Sequence, residues 1–339
     1  MEPLAENASP PLAEESRTES RPEEQDTPVA KPCKAVEVDS GMWLDETQHR
    51  LYKLLCGTAR WFDGFFGDSA RYDTTLDQSW GRLGVGAYYD RRDQLDLDIR
   101  LRAQAELPAA KRRARLLIGR GDEKQLIEDR GYSERDGLPT RFNDVEDNAW
   151  LLGLGFAKKQ GLERGLDFSV GARLRLPPEP FAKARYYRNW TLADKTLLRF
   201  RQTGFWREGR GFGTTSQLDL DYLIANDFLL RWHNWGTVAE DVDGLDWGSS
   251  VTLFQGLTDR RALAYRFFVR GETQAEERLK DYGLELRYRR RIFREWLFIE
   301  YVTGLSWPKE TMLEKRELNV GAGVGLQLYF GPVPDTHLH

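Results

Sequence analysis

Segments of about ten residues in which every second side chain is apolar, with charged, polar or glycine residues between them, recur along most of this chain. Gln94-Leu95-Asp96-Leu97-Asp98-Ile99-Arg100-Leu101-Arg102-Ala103 shows the pattern most clearly, and Glu317 to Phe330 repeats it with glycines. Successive side chains of a strand point to opposite faces, so every such segment has one face that must be buried. More than a dozen segments share the pattern and no partner layer is coded to cover them, which leaves lipid as the burial medium. The expectation is an all-β chain folded as a closed antiparallel up-and-down transmembrane β-barrel of about 14 strands, within 12–16.

Composition agrees with strands rather than helices as the spanning elements. A mean hydropathy of −0.62 and 31% charged residues would be odd for a helical membrane protein, and no run of 18 apolar residues is present. A barrel is exempt because only alternate residues face lipid. The net charge of −4 is small and balanced, so no nucleic-acid partner is expected. Cys33 and Cys56 both precede the strand region; an oxidising periplasm permits them to pair, and two free thiols are the alternative. Met1 is followed by Glu2 and Pro3 with no basic and then apolar run, so no signal peptide is visible and an exported protein is expected to be a processed form.

Along the chain, residues 1–42 are rich in Pro, Glu and Ser and read as a disordered periplasmic tail. Residues 43–74 read as an amphipathic helix and linker. Leu44, Leu51, Leu54, Leu55, Phe62 and Phe65 share one face, opposite Asp45, Glu46, Arg50 and Lys53. Such a helix could lie at the leaflet, enter the barrel mouth as a plug, or dock a periplasmic partner through residues 43–66. The barrel is placed at 75–331, with a C-terminal tail at 332–339. Its strands are expected at roughly 80–90, 94–107, 113–121, 148–157, 165–176, 181–192, 196–206, 213–224, 228–238, 247–257, 262–271, 281–290, 295–305 and 317–330. An internal repeat supports this spacing: residues 192–200, 224–232 and, more loosely, 257–265 match one another, each copy being one hairpin.

Alternation assigns faces once one residue is placed. Leu218, Leu220, Tyr222, Ile224, Leu263, Tyr265, Phe267 and Val269 fall on the lipid face. So do Leu318, Val320, Ala322, Val324, Leu326, Leu328 and Phe330. Trp150, Trp190, Trp206, Trp232, Tyr222, Tyr288 and Tyr301 lie toward strand ends, where amphipathic rings favour the interface. The opposite face takes the charges. With one hairpin centred on Arg210 and the next on Asn226, Asp221 falls between Arg199 and Arg231, and Asp219 between Arg201 and His233, a charge ladder across three strands. Asp96, Asp98, Arg100, Arg102, Asp167, Arg173, Arg175, Lys183, Arg185, Arg266, Arg270, Glu285, Arg287, Arg289 and Glu300 extend the lumen lining.

The chain resembles the outer-membrane β-barrel proteins of Gram-negative bacteria over roughly residues 80–330, on the dyad strands, the aromatic belts and the last strand. Gly325-x-x-Leu328-x-Phe330 looks like the C-terminal assembly signal of that class, although Phe330 is followed by nine further residues. The resemblance implies a bacterial outer-membrane location, contact with outer-membrane lipid, and recognition by the barrel assembly machinery through the last strand.

A charge-lined lumen points to a passive channel or transporter for small polar solutes. The alternative is a closed structural or partner-binding barrel in which the charges form a salt-bridge network and the helix is a plug or docking element. A third reading, an outer-membrane lipid-modifying enzyme, needs His233 beside a serine, and the hairpin register puts Ser216 opposite Gly236 instead. No residue is therefore assigned to catalysis. No cofactor is expected, and no metal site, since His337 and His339 lack a third ligand. Gly321-x-Gly323-x-Gly325 sits inside a strand with no helix after it, and reads as small residues on the lumen face rather than a nucleotide loop.

Overall fold

The computed structural model describes residues 62, 65, 66, 80–92, 94–106, 114–129, 148–159 and 163–330. The expectations for residues 1–61, including Cys33 and Cys56, and for the tail from 331 onward lie outside these. Within them, alternation becomes fourteen strands: β1 Trp80–Asp90, β2 Gln94–Glu106, β3 Ala114–Asp122, β4 Asn148–Lys159, β5 Arg164–Arg173, β6 Glu179–Ala193, β7 Thr196–Arg207, β8 Gly211–Ala225, β9 Phe228–Ala239, β10 Asp246–Thr258, β11 Arg261–Glu272, β12 Leu279–Arg291, β13 Leu297–Ser306 and β14 Asn319–Phe330. Each pairs antiparallel with its sequence neighbours, and β14 closes on β1 from Gly81↔Phe330 to Asp90↔Gly321. Closure leaves no edge strand, which is what a hydrocarbon environment demands of a sheet. A short helix, α1 at Glu123–Leu126, lies in the β3–β4 connection.

The sequence repeat has a structural counterpart. Its three copies centre on the two-residue turns Asp194-Lys195, Asn226-Asp227 and Asp259-Arg260, all at the same end of the barrel. Each turn is preceded by a register shift, between Thr191 and Ala193, Leu223 and Ala225, and Gly256 and Thr258. Each turn's second carbonyl accepts a hydrogen bond from the next hairpin: Leu223 N to Lys195 O at 2.9 Å, Gly256 N to Asp227 O at 2.8 Å and Arg291 N to Arg260 O at 2.8 Å. We refer to this as the turn end and to the opposite rim as the loop end.

The outer face carries the expected apolar row. Val85, Leu97, Val170, Leu218, Phe267, Val324 and Phe330 are exposed on it, as are the aromatic side chains of Trp232, Tyr222 and Tyr301 toward the turn end and Trp150 toward the loop end, where Trp206 is half-buried. Tyr288 stacks on Tyr301 with ring centroids 6.2 Å apart. At the closing seam, Gly321 and Gly323 make room for Tyr88 of β1. A Cβ on either glycine would collide with the Tyr88 ring, so the glycine run of β14 is a bed for that ring.

Three details differ from the sequence reading. β5 ends at Arg173 rather than at 176, because Leu176-Pro177-Pro178 cannot continue a hydrogen-bonded strand. Arg175 therefore leaves the lumen wall; its side chain is 63% exposed at the rim and meets Glu179 at 3.4 Å. The β7–β8 hairpin is centred on Gly209, not Arg210, so its register is displaced by two residues and Arg199, not Arg201, stands opposite Asp219. Gly209 and Gly211 both take φ of +77°, a conformation that places the tight part of the turn on the glycines.

Candidate functional site: a charged lumen between two inserted segments

The inward row of β7 to β13 forms a band of charge around mid-barrel. On β7–β9, Asp221 accepts from Arg231 Nε at 2.7 Å and Nη2 at 3.0 Å, and Arg199 Nη2 reaches its Oδ2 at 2.8 Å. Asp219 lies opposite His233, with Nδ1 2.5 Å from Oδ1, and 4.0 Å from Arg199. The ladder thus contains Arg199, Asp219, Asp221, Arg231 and His233. The register shift moves Arg201 opposite Gln217, whose Oε1 is 3.5 Å away. On β12–β13, Arg287 bridges Glu285 at 2.9 Å and Glu300 at 3.5 Å, and Arg289 meets Glu300 at 3.3 Å.

The band continues round the wall through Arg100–Asp98 at 2.7 Å, Arg185–Asp167 at 2.7 Å and Arg173–Glu179 at 3.2 Å. Asp96 and Arg102 share the inward row of β2 with Asp98 and Arg100, opposite Tyr88 and Arg82 of β1. Arg266 stands opposite Glu285, and Arg270 reaches Glu310 of the β13–β14 connection at 3.2 Å. Buried charges persist only when paired or hydrated, and Asp98, Asp167, Asp219, Asp221, Glu285 and Glu300 each lie beside an arginine. His233 faces the lumen whereas Ser216, opposite Gly236, faces outward, so the two do not form a nucleophile–base pair.

Below the band, toward the turn end, the inward row turns apolar: Leu229, Phe254, Ala262, Ala264, Phe298 and Tyr329. Phe62, Phe65 and Phe66, in helical conformation, fill this collar and are almost fully buried. Phe62 and Phe66 lie 5.4 and 5.2 Å from Phe254, and Phe65 meets Phe298 edge-on at 5.6 Å. Arginines of the band roof the collar: Arg231 sits 5.3 Å over Phe254 and Arg289 4.5 Å over Phe298. The helical pattern at 43–66 contained Phe62 and Phe65 and left their face three destinations, the leaflet, the barrel mouth or a partner; Phe66 was missed.

A second insertion enters from the loop end. The residues after α1 fold inward, and Ile127 packs on Leu151, Phe181, Phe205 and Ala239. Glu128 meets Arg207 at 2.6 Å. Asp129 accepts from Thr203 Oγ1 at 2.7 Å and faces Lys183 Nζ at 3.4 Å, while the Gln217 amide donates to its carbonyl. Burial opposes ionisation of Asp129, but Lys183, Arg185, Arg201 and the Thr203 hydroxyl outweigh it and hold the carboxyl well below the usual carboxylate range. In sequence these residues lie in the polar stretch between the third and fourth expected strands, where the apolar pair Leu126-Ile127 ahead of Glu128 and Asp129 is the only local signal of insertion.

The three residues of the expected assembly signal occupy the seam: Gly325 lies between Glu300 and Gly86, Leu328 between Leu297 and Leu83, and Phe330 ends β14 facing outward. Outside the lumen, the loop rim is tied by ion pairs. Glu277 accepts from Lys309, meets Arg316 at 3.4 Å, and is held below the usual carboxylate range chiefly by the Lys309 hydrogen bond.

No family model and no curated protein matches the chain. Among solved structures, the chain is similar to OmpT, an outer membrane protein of Vibrio cholerae (loop-deletion form: 9% identity, 74% of this chain and 98% of that one, TM-score 0.43). It is also similar to OccK11 of Pseudomonas aeruginosa (9% identity, 75% and 96% covered, TM-score 0.41) and to the KdgM porin (7% identity, 54% and 93% covered, TM-score 0.35).

Proposed function

We propose that this protein is a bacterial outer-membrane channel that passes small polar solutes along its charge-lined lumen and is held shut by its own N-terminal segment. The outer-membrane location rests on the closed barrel, its apolar outer row and an even strand number that returns both ends to one side. The observation that carries the channel reading is the sequence of layers: paired charges at mid-barrel, an apolar collar beneath them, and three phenylalanines of a separate segment seated in that collar. A wall meant only to be filled would use apolar side chains throughout. Here charges dominate the mid-barrel row, and apolar lining gathers in the ring that Phe62, Phe65 and Phe66 occupy and in the patch around Ile127. Burying each ring contributes about 1.5–3 kcal/mol, enough for three to keep a segment seated while leaving it displaceable.

Planar-bilayer recording of the full chain and of Phe65→Asp tests this. A carboxylate in the collar expels the segment, so the variant is expected to conduct at voltages where the wild type is closed. The second reading, a closed scaffold barrel, is favoured by the pairing of Asp221 and Glu300 on two arginines each. It expects no current from either protein at any voltage, and that result would overturn the channel.

A further inference from the structure

The apolar outer row is broken by a polar patch that runs across four adjacent strands, β7–β10. Gln202 and Gly204 of β7, Thr214 and Ser216 of β8, Asn234 and Gly236 of β9, and Ser249 of β10 are adjacent outward positions. None has a large apolar side chain. Gln202 and Asn234 stand near the middle of their strands. The interruption lies inside the apolar band and not at its rim: Phe200, Leu218, Trp232 and Val251 flank it on the turn side, and Trp206, Phe212, Val238 and Trp247 on the loop side. Its groups are linked to one another. Ser216 Oγ donates to Gln202 Oε1 at 2.7 Å, Gln202 Nε2 to Thr214 Oγ1 at 2.5 Å, Ser249 Oγ to Asn234 Oδ1 at 2.8 Å, and Trp232 Nε1 to Ser249 Oγ at 3.1 Å. A Cβ on Gly204 would meet nothing, so the surface there is low and open.

Hydroxyls and amides facing hydrocarbon lose the hydrogen bonds that water would supply, and lipid tails return none. On the opposite wall, Val85, Leu97, Ile99, Val320 and Val324 show the composition that lipid requires. The neighbour of the polar patch must therefore bring its own polar groups to mid-membrane. A water-soluble partner cannot reach that depth. We infer that the patch is a self-association surface and that its occupant is a second copy of this chain, related by a two-fold axis through Ser216. Two features select the second copy. The patch groups are uncharged, and each amide and hydroxyl is both donor and acceptor, so the surface is complementary to itself. An identical barrel also presents those groups at the same membrane height without adjustment.

The test is disulfide trapping in native membranes, on the full chain with Cys33→Ser and Cys56→Ser. Ser216→Cys is expected to give a linked dimer under mild oxidation, and Val85→Cys on the far wall is expected not to. Separately, Gln202→Leu/Ser216→Leu/Asn234→Leu restores a lipid-like surface without touching the lumen. In detergent, light scattering should move from twice the chain mass of 39.3 kDa to the chain mass itself. Retained strand circular dichroism and heat-modifiable migration would show that the barrel still folds. Equal trapping at residues 216 and 85, a Ser216→Cys link to a different protein, a wild type already at monomer mass, or an unchanged oligomer in the triple variant would each overturn the proposal. So would a trimer, whose head-to-tail contacts do not bring two copies of one residue together.

Discussion

Asp221→Asn asks whether the charge band is dry or wet in the closed state, which decides how much of it is structural. Asp221 is held by both ε and η nitrogens of Arg231, at 2.7 and 3.0 Å, and by Arg199 at 2.8 Å; the three side chains are 1–6% exposed. The amide keeps the shape and removes the charge, leaving two arginines across from a neutral group. Uncompensated buried charge of this kind costs about 3–5 kcal/mol, whereas an exposed pair is worth about 0–1 kcal/mol. With a denaturant slope of about 2–3 kcal/mol per molar urea, the dry case moves the unfolding midpoint down by roughly 1–2 M. The assay is equilibrium unfolding in detergent, followed by tryptophan fluorescence and by gel migration. Asp221→Asn with Arg231→Met should recover much of the loss, because one excess cation is removed and an apolar chain fills its place. A midpoint unchanged within error would refute the dry band and would mean that water already screens these groups.

Other outcomes follow from the same geometry. Gly323→Val drives a branched side chain into the Tyr88 ring, so it should cost about 1–3 kcal/mol in the same unfolding assay. Tyr88→Ala should relieve part of that cost in the double variant, and additive losses would mean the two do not touch. For Asp129 the folded-state affinity for protons is lowered, so its contribution is fully present above the ordinary aspartate range and is lost only as pH falls through the lower folded value. Hydrogen-exchange protection factors at residues 123–129, corrected for the intrinsic rate, should therefore be the same at pH 5 as at pH 7. Asp129→Asn should lower them at both, and a collapse of protection between pH 7 and 5 would show that Lys183 and its neighbours do not anchor the segment. Disrupting the loop-rim pairs by Glu277→Gln should leave the unfolding midpoint unchanged within error, because ion pairs at the rim are screened by water.

Much of this molecule is written in local pattern. Leu95 to Ala103 had to be a strand with one wet and one greasy face. Two-residue turns at Asn226 and Asp259 followed from the repeat, and the β8–β9 register that pairs Asp221 with Arg231 followed from turn symmetry. Those features depend on interactions a few residues apart, or on a side-chain period that no context alters. Where two flanking glycines let the turn centre on Gly209 or on Arg210, local chemistry left the register open, and Arg201 was misplaced by one rung. The prolines after Leu176 were visible, but their consequence, the loss of Arg175 from the wall, depended on where the neighbouring strand ended. The two insertions lay further from reach. Phe62, Phe65 and Phe66 meet Phe254 and Phe298, and Asp129 meets Lys183 and Thr203, across long separations in sequence. Alternation tells a residue which side of the wall it faces. Only closure of the wall decides which other segments it encloses, because contacts inside a barrel are fixed by its circumference and not by the order of the chain.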